Sequence, residues 1–316
     1  MPQRKVVITD HGFKGLAHEQ TIIGSSAELL VYQCRSEDEV IKAASTADAL
    51  LVQWAPITAR VIDALTQCRV IVRYGIGVDN VDVDAARLKG IPVCNVPDYG
   101  VNEVADHAAA LALALARQLP FFDRDMQAGG WNPNARLEMP DFEQMVFGTF
   151  GFGRIARKVF ERIRGFGFRL IAHDPIVGAA AMKEHGVEKV QQDELFTRAD
   201  ILSLHCPLTP DTRHVVNATR LATMKPQAVL VNTARGALID SAALVEALRA
   251  NRLGFAGLDV FEEEPLPGDH PLRRAPRTLL TPHVAWYSTG SLDRLQRFAA
   301  EEIKRSLEGQ PLRCPV

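Results

Sequence analysis

Val146-Phe147-Gly148-Thr149-Phe150-Gly151-Phe152-Gly153-Arg154-Ile155-Ala156 is the stretch whose reading decides the fold. A short apolar run reads as a buried strand, two glycines follow, and a helical period opens behind them. That order is the context the G-x-G-x-x-G/A fingerprint needs, because its glycines let a turn and a helix N-terminus approach a pyrophosphate. About 20 residues on, a second strand ends at His173-Asp174-Pro175 and places a carboxylate where adenosine ribose hydroxyls are held. Strand, glycines, helix, strand and Asp174 in this order predict a dinucleotide site; the bland alternative is an ordinary βαβ unit with a tight turn. Asp174 has no arginine directly after it, which favours NAD over NADP because a 2′-phosphate would be repelled. Ala156 replaces the third glycine, which the fingerprint tolerates, whereas Gly148 and Thr149 interrupt the apolar strand and predict a looser phosphate turn.

Outward from this turn, apolar runs at 146–150, 169–172, 201–204, 228–232, 255–259 and 278–281 alternate with helical patterns, giving six strands of one domain. Upstream, runs at 6–9, 49–53, 70–73 and 92–96 alternate in the same way and predict a smaller α/β domain over residues 1–100. Residues 101–119 read as one long helix. The helical stretch 289–307 has no further strand to feed and is expected to cross back onto the first domain. The fold class is therefore α/β: two Rossmann-like, doubly wound parallel-sheet domains with a cleft between them. A substrate domain takes residues 1–100 and 285–316, and an NAD-binding domain takes residues 101–284. Between helix and strand, residues 127–144 lose all periodicity around Gly129, Gly130, Trp131, Pro133 and Pro140, as a surface connection or a subunit-interface arm would.

Composition narrows the partners. The 316 residues are 47% hydrophobic, enough for two cores, and carry a net charge of −2 without a run of like charges. That balance speaks against nucleic acid or an acidic membrane surface. Five scattered cysteines with no Cys-x-x-Cys spacing disfavour a disulfide framework and a metal site, and fit a reducing cytoplasm. The N-terminus runs straight into a strand instead of a signal peptide, and the longest apolar stretch, 108–116, is too short to span a bilayer.

Three later fragments each end on a group that can move or steer a proton: Asn232-Thr233-Ala234-Arg235-Gly236, Leu258-Asp259 through Glu264-Pro265, and Thr281-Pro282-His283. Each begins as a buried strand, so Arg235, Glu264 and His283 are expected along one sheet edge beside the cofactor. Singly each has a bland reading: a solvated arginine, one of three surface glutamates, a core or capping histidine. Together they suit hydride transfer coupled to proton transfer. A histidine, with an unperturbed pKa near ~6.5, can give or take the proton; a carboxylate favours the imidazolium and fixes a tautomer; an arginine fork clamps a substrate carboxylate.

On these residues the chain resembles the D-isomer-specific 2-hydroxyacid dehydrogenases over nearly its full length, closest to their C-terminal-binding-protein-like and phosphoglycerate-dehydrogenase-like bacterial branch. Further motifs carry the resemblance: Arg73-Tyr74-Gly75-Ile76-Gly77-Val78-Asp79-Asn80, Val93-Cys94-Asn95-Val96-Pro97, Leu204-His205-Cys206-Pro207-Leu208-Thr209, Met224-Lys225-Pro226 and Thr281 to Ser288. It implies that Arg235 binds substrate, Glu264 pairs with His283, and His283 is the acid/base. It implies an NAD site lined by Gly151, Gly153, Arg154, Ile155, Asp174, Cys206, Thr233, Ala234 and Asp259. It implies substrate contacts from Arg73, Ile76, Gly77 and Trp286, and a homodimer through the NAD-binding domains. Residues 138–144 depart from the pattern by lacking a basic Arg-Gly pair. Gln53-Trp54-Ala55-Pro56 replaces the arginine and serine that hold a phosphate in phosphoglycerate dehydrogenases, and no regulatory extension follows Val316. Both departures count against 3-phosphoglycerate, and an apolar wall of Trp54, Tyr74 and Trp286 is expected instead. The alternatives to a 2-keto acid reductase are an NAD(H)-sensing scaffold of the C-terminal-binding-protein type and a phosphite-type oxidoreductase.

Overall fold

The computed structural model describes residues 4–133 and 138–316. The chain divides into two compact units, Met1–Gly100 with Ser288–Val316, and Val101–Tyr287. Among the described residues, no helix is long and apolar enough to cross a membrane.

The first unit is a five-stranded parallel sheet of β1 (Lys5–Ile8), β2 (Glu28–Val31), β3 (Ala49–Val52), β4 (Ile71–Arg73) and β5 (Val93–Cys94), in the order β2-β1-β3-β4-β5. Every residue of β3 is buried, as helix-covered parallel strands must be. The helix Thr289–Leu307 belongs to this unit and turns Leu295, Ala299, Ala300, Ile303 and Leu307 inward. It starts at a reciprocal cap: the Ser288 hydroxyl accepts from Ser291 N at 2.9 Å, and Ser288 N donates to Ser291 Oγ at 2.7 Å. Strand β2 was not expected from the sequence. Its Glu28 and Val31 are exposed at the sheet edge, so it lacks the apolar run of a central strand.

The second unit holds β6 (Val146–Phe150), β7 (Arg169–His173), β8 (Glu188–Lys189), β9 (Ile201–Leu204), β10 (Val229–Asn232), β11 (Phe255–Leu258) and β12 (Thr278–Leu280). They form a parallel sheet ordered β12-β11-β10-β9-β6-β7-β8, one strand more than the six expected. Strand order reverses between β6 and β9, and in such sheets the crevice at the strand carboxyl ends there takes the ligand. Phe147 in the middle of β6 is fully buried, a side chain worth about 1.5–3 kcal/mol of transfer free energy. The long helix is shorter than expected. It spans Val101–Ala116, Gln118 turns into the left-handed region at φ 54°, and a second helix, Leu119–Gln127, carries Pro120 in its first turn. The non-periodic arm contains one 3-10 turn, Phe142–Gln144, whose Phe142 ring stacks on Phe168 at 4.7 Å; its residues 134–137 lie outside the described residues.

Candidate active site

The glycine turn is more firmly tied than its sequence suggested. A Cβ at Gly148 would lie 2.6 Å from Leu195 Cδ1, so this glycine lets the neighbouring helix Gln192–Arg198 pack close on β6. The Thr149 hydroxyl donates to the Gly151 carbonyl at 2.8 Å, and Gly151 N donates to the His173 carbonyl at 2.7 Å. The expectation of a looser turn is therefore corrected: the two residues that interrupt the apolar run brace it. Gly151 sits at φ +99°, and its Cβ would meet the His205 carbonyl oxygen at 2.7 Å, so only glycine fits there. Gly153 differs. Nothing lies within 4 Å of its missing Cβ, and it opens the ten-residue helix Arg154–Ile163 without a side-chain cap. Open space in front of uncapped helix amides, with exposed Arg154 beside it, suits a pyrophosphate.

Asp174 accepts from Phe152 N at 2.8 Å, Ile176 N at 2.8 Å and Val177 N at 2.9 Å, tying the loop after β7 to the glycine turn. Burial pushes its carboxyl up, but the amides of Val177, Phe152 and Ile176 and the charge of Lys189 outweigh this and hold it below the usual range. Lys189, whose Nζ donates to the Val177 carbonyl at 2.7 Å, escaped the sequence reading because it stands on the unexpected two-residue strand β8. At the end of β9, His205 Nε2 lies 2.8 Å from the Ser203 hydroxyl, and burial lowers its pKa to about 3, so its ring is neutral. Burial likewise pushes the Cys206 thiol up to about 12, which makes it an inert wall. Ile155 and Ala234 pack half-buried against the core. The Thr233 hydroxyl is buried without a hydrogen-bond partner, an orphan that a ligand amide or hydroxyl would satisfy. These residues fit NAD.

The expected trio meets within the second unit. After β10, Asn232 closes the Arg235 turn by donating to the Arg235 carbonyl at 2.8 Å and accepting from Ala234 N at 3.0 Å. A Cβ at Gly236 would stand 1.9 Å from the Phe261 carbonyl carbon, so glycine allows this turn to seat against the backbone that leads to Glu264. Glu264 Oε1 accepts from Phe261 N at 2.9 Å, and Oε2 lies 2.5 Å from His283 Nδ1. Burial raises the Glu264 carboxyl, but the His283 contact, the Phe261 amide and the nearby Arg235 charge overcome it and keep it ionised below the ordinary range. His283 itself adopts a left-handed φ of 53°, its N–H donates to the Asp259 carbonyl at 2.8 Å, and its own carbonyl accepts from Trp286 Nε1 at 2.9 Å. With Nδ1 taken by the carboxylate, Nε2 is the ring nitrogen left for proton exchange. Asp259, read from the resemblance as lining the NAD site, has a fully buried side chain that accepts from the Thr281 hydroxyl and from Val284 and Ala285 N.

In the first unit, Arg73 ends β4 and its guanidinium folds over Gly75, whose Cβ would fall 1.5 Å from Arg73 Nη1. Asn95 Nδ2 donates to the Ile76 carbonyl at 2.7 Å and Val96 N to the Gly75 carbonyl at 2.8 Å, which fixes the loop carrying Ile76 and Gly77. Tyr74 corrects one expectation. Its ring is buried and its hydroxyl donates to Glu19 at 2.8 Å, so it supports this loop and does not wall a pocket. Trp54 is 60% exposed, with its backbone N held by Asp10 at 2.6 Å and its indole over Gly12.

Residues 109–285 match the model of the family described as D-isomer specific 2-hydroxyacid dehydrogenase, NAD binding domain. The chain is 37% identical over 289 residues to D-3-phosphoglycerate dehydrogenase of Mycobacterium tuberculosis, covering 91% of this chain and 54% of that protein. It thus spans about half the length of the mycobacterial relatives it matches. It is 38% identical over 273 residues to glyoxylate reductase of Korarchaeum cryptofilum, covering 85% of this chain and 82% of that one. A crystal structure of a glyoxylate reductase from a Paecilomyces species superposes with a TM-score of 0.90 at 29% identity, over 100% of this chain and 99% of the other.

Proposed function

The chain belongs to the D-isomer specific 2-hydroxyacid dehydrogenase family, and we propose that it interconverts a 2-keto acid and its D-2-hydroxy acid with NAD. The carrying observation is the 2.5 Å contact between His283 Nδ1 and Glu264 Oε2 in the same turn system as Arg235. NAD, when bound, supplies or accepts the hydride. The turn at Gly151, Gly153, Arg154 and Ile155 would hold its pyrophosphate, Asp174 its ribose, and Cys206, Thr233, Ala234 and Asp259 the rest of its wall.

In the reductive direction His283 gives its Nε2 proton to the carbonyl oxygen, and in the oxidative direction it takes the proton back. Glu264 stabilises the imidazolium and fixes the ring. Arg235 clamps the substrate carboxylate, with Trp286 as a further contact, and in the first unit Arg73 and the Ile76-Gly77 backbone are the proposed substrate contacts. Trp54 in place of a basic loop residue supports an unphosphorylated, uncharged side chain. The test is turnover of glyoxylate, pyruvate and phenylpyruvate with NADH by the wild type and His283→Gln. The expected loss is on the order of 10²–10⁴-fold, and an unchanged rate in the variant would overturn the mechanism.

A homodimer through the NAD-binding unit is supported by the exposed Leu119, Met126 and 82% exposed Trp131 along its outer helix and arm. Light scattering tests it, and a monomer would refute it. Free cysteines at 34, 68, 94, 206 and 314 support a reducing cytoplasm.

A further inference from the structure

We infer that His107, which the reaction scheme leaves unused, is a positioning residue for the catalytic turn and acts through Thr281 and Asp259. The inference rests on His283 being the proton carrier. Its basis is a directed hydrogen-bond chain. Asp259 Oδ1 lies 2.5 Å from Thr281 Oγ1, and a carboxylate can only accept, so the threonine hydrogen points at Asp259. The threonine oxygen can then only accept from His107 Nε2, 2.9 Å away, which fixes the histidine proton on that nitrogen. The same Nε2 lies 3.7 Å from Asp259 Oδ1, so His107 stands directly beside the buried carboxylate.

Asp259 in turn holds the backbone of His283 and of the two residues that follow it. Its carbonyl accepts from His283 N, while Oδ1 and Oδ2 accept from Val284 N and Ala285 N at 2.9 Å each. A non-glycine residue at φ 53° is strained and persists only where its surroundings over-determine it. His107 supplies that constraint from a rigid element. It stands on the helix Val101–Ala116, whose Leu111 and Leu115 pack on Gly257 of β11. Without the His107 donor Thr281, and Asp259 behind it, lose their side-chain tie to this helix, the turn loosens, and the imidazole loses its aim.

The experiment compares His107→Leu with His107→Gln, and Thr281→Val with Thr281→Ser, in the full chain with NADH and the keto acid that the wild type turns over fastest. His107→Leu and Thr281→Val should lower kcat about 10- to 100-fold, leave NADH affinity measured by fluorescence unchanged, and raise the primary isotope effect with 4-deuterated NADH. His107→Gln keeps a donor and Thr281→Ser keeps the hydroxyl, so both should recover most of the loss. Equal loss in His107→Gln and His107→Leu would overturn the inference, as would wild-type kcat in His107→Leu or a loss confined to NADH affinity. If His107→Leu does not fold, the threonine pair reads the same contact. An active His283→Gln would defeat the mechanism itself, whereas an inactive His283→Gln beside a normal His107→Leu would defeat only the positioning role.

Discussion

Two histidine–glutamate pairs stand two residues apart in one loop, and they do different things. Glu264 meets His283 at Nδ1, 2.5 Å away; Glu262 meets His214 at Nε2, 2.6 Å away. Both histidines have left-handed φ, 53° and 50°. Both carboxyls are raised by burial and then brought below the ordinary range by their hydrogen bonds. The difference lies in what remains. Glu262 spends its other oxygen on Ser241 N at 3.0 Å, and His214 N donates to the Ala237 carbonyl at 2.8 Å, so that pair braces the start of a helix with the outer ring nitrogen consumed. In the other pair the inner nitrogen is held and the outer one is the nitrogen that the proposed proton transfer uses. Pairing a carboxylate with an imidazole does not make an acid/base catalyst; the choice of nitrogen does.

The most damaging change should strike both pairs at once. Gly236→Ala drives a methyl into the Phe261 backbone just ahead of both glutamates. It should cost about 1–3 kcal/mol of stability and displace Arg235, seen as a lower Tm together with lost turnover; a normal Tm would show that the approach is not tight. Glu264→Gln separates the pairs. It should lower kcat for reduction about 100-fold with little change in Tm. Turnover left at the wild-type rate in this variant would deny Glu264 its role. The smallest effect belongs to Glu262→Gln, which should leave turnover intact and cost about 1 kcal/mol of stability. Because the folded-state pKa of Glu262 is depressed, its contribution is complete above the unfolded value near ~4.3 and is lost as pH falls through the folded value. The Tm gap to wild type should therefore close on acidification, and a gap independent of pH would assign the effect to packing.

Much of this was legible in the sequence because central parallel strands and glycine turns leave strong local signals. β6, β9, β10 and β11 are fully buried and mostly apolar, and Gly151 has no substitute at φ +99°. Arg235 and Glu264 were legible because they follow two of these strands, β10 and β11, and His283 because the short half-buried strand β12 leads into it. Edge strands β2 and β8 were not, since half-exposed polar segments carry no period, and Lys189 went unseen with β8. The break after Ala116 was missed although Pro120 marks the start of a helix. Asp259 is the instructive case. Its place after β11 was plain, but the direction of its hydrogen bonds is a property of three dimensions, and with it went His107, Thr281 and the distinction between Glu262 and Glu264.

The capped helix at Ser288 has a consequence for synthesis. The first unit is built from two segments, Met1–Gly100 and Ser288–Val316, that flank the second unit in sequence, so a ribosome finishes its five strands long before it makes the helix that closes them. At about 5–20 residues per second the whole of the second unit takes roughly 10–40 seconds to emerge. Through that interval the buried carboxylate of Glu19 lacks Gln296, which reaches it at 3.2 Å in the finished fold. Of these two units, the nucleotide-binding one is thus free to fold first, although synthesis of the other begins before it.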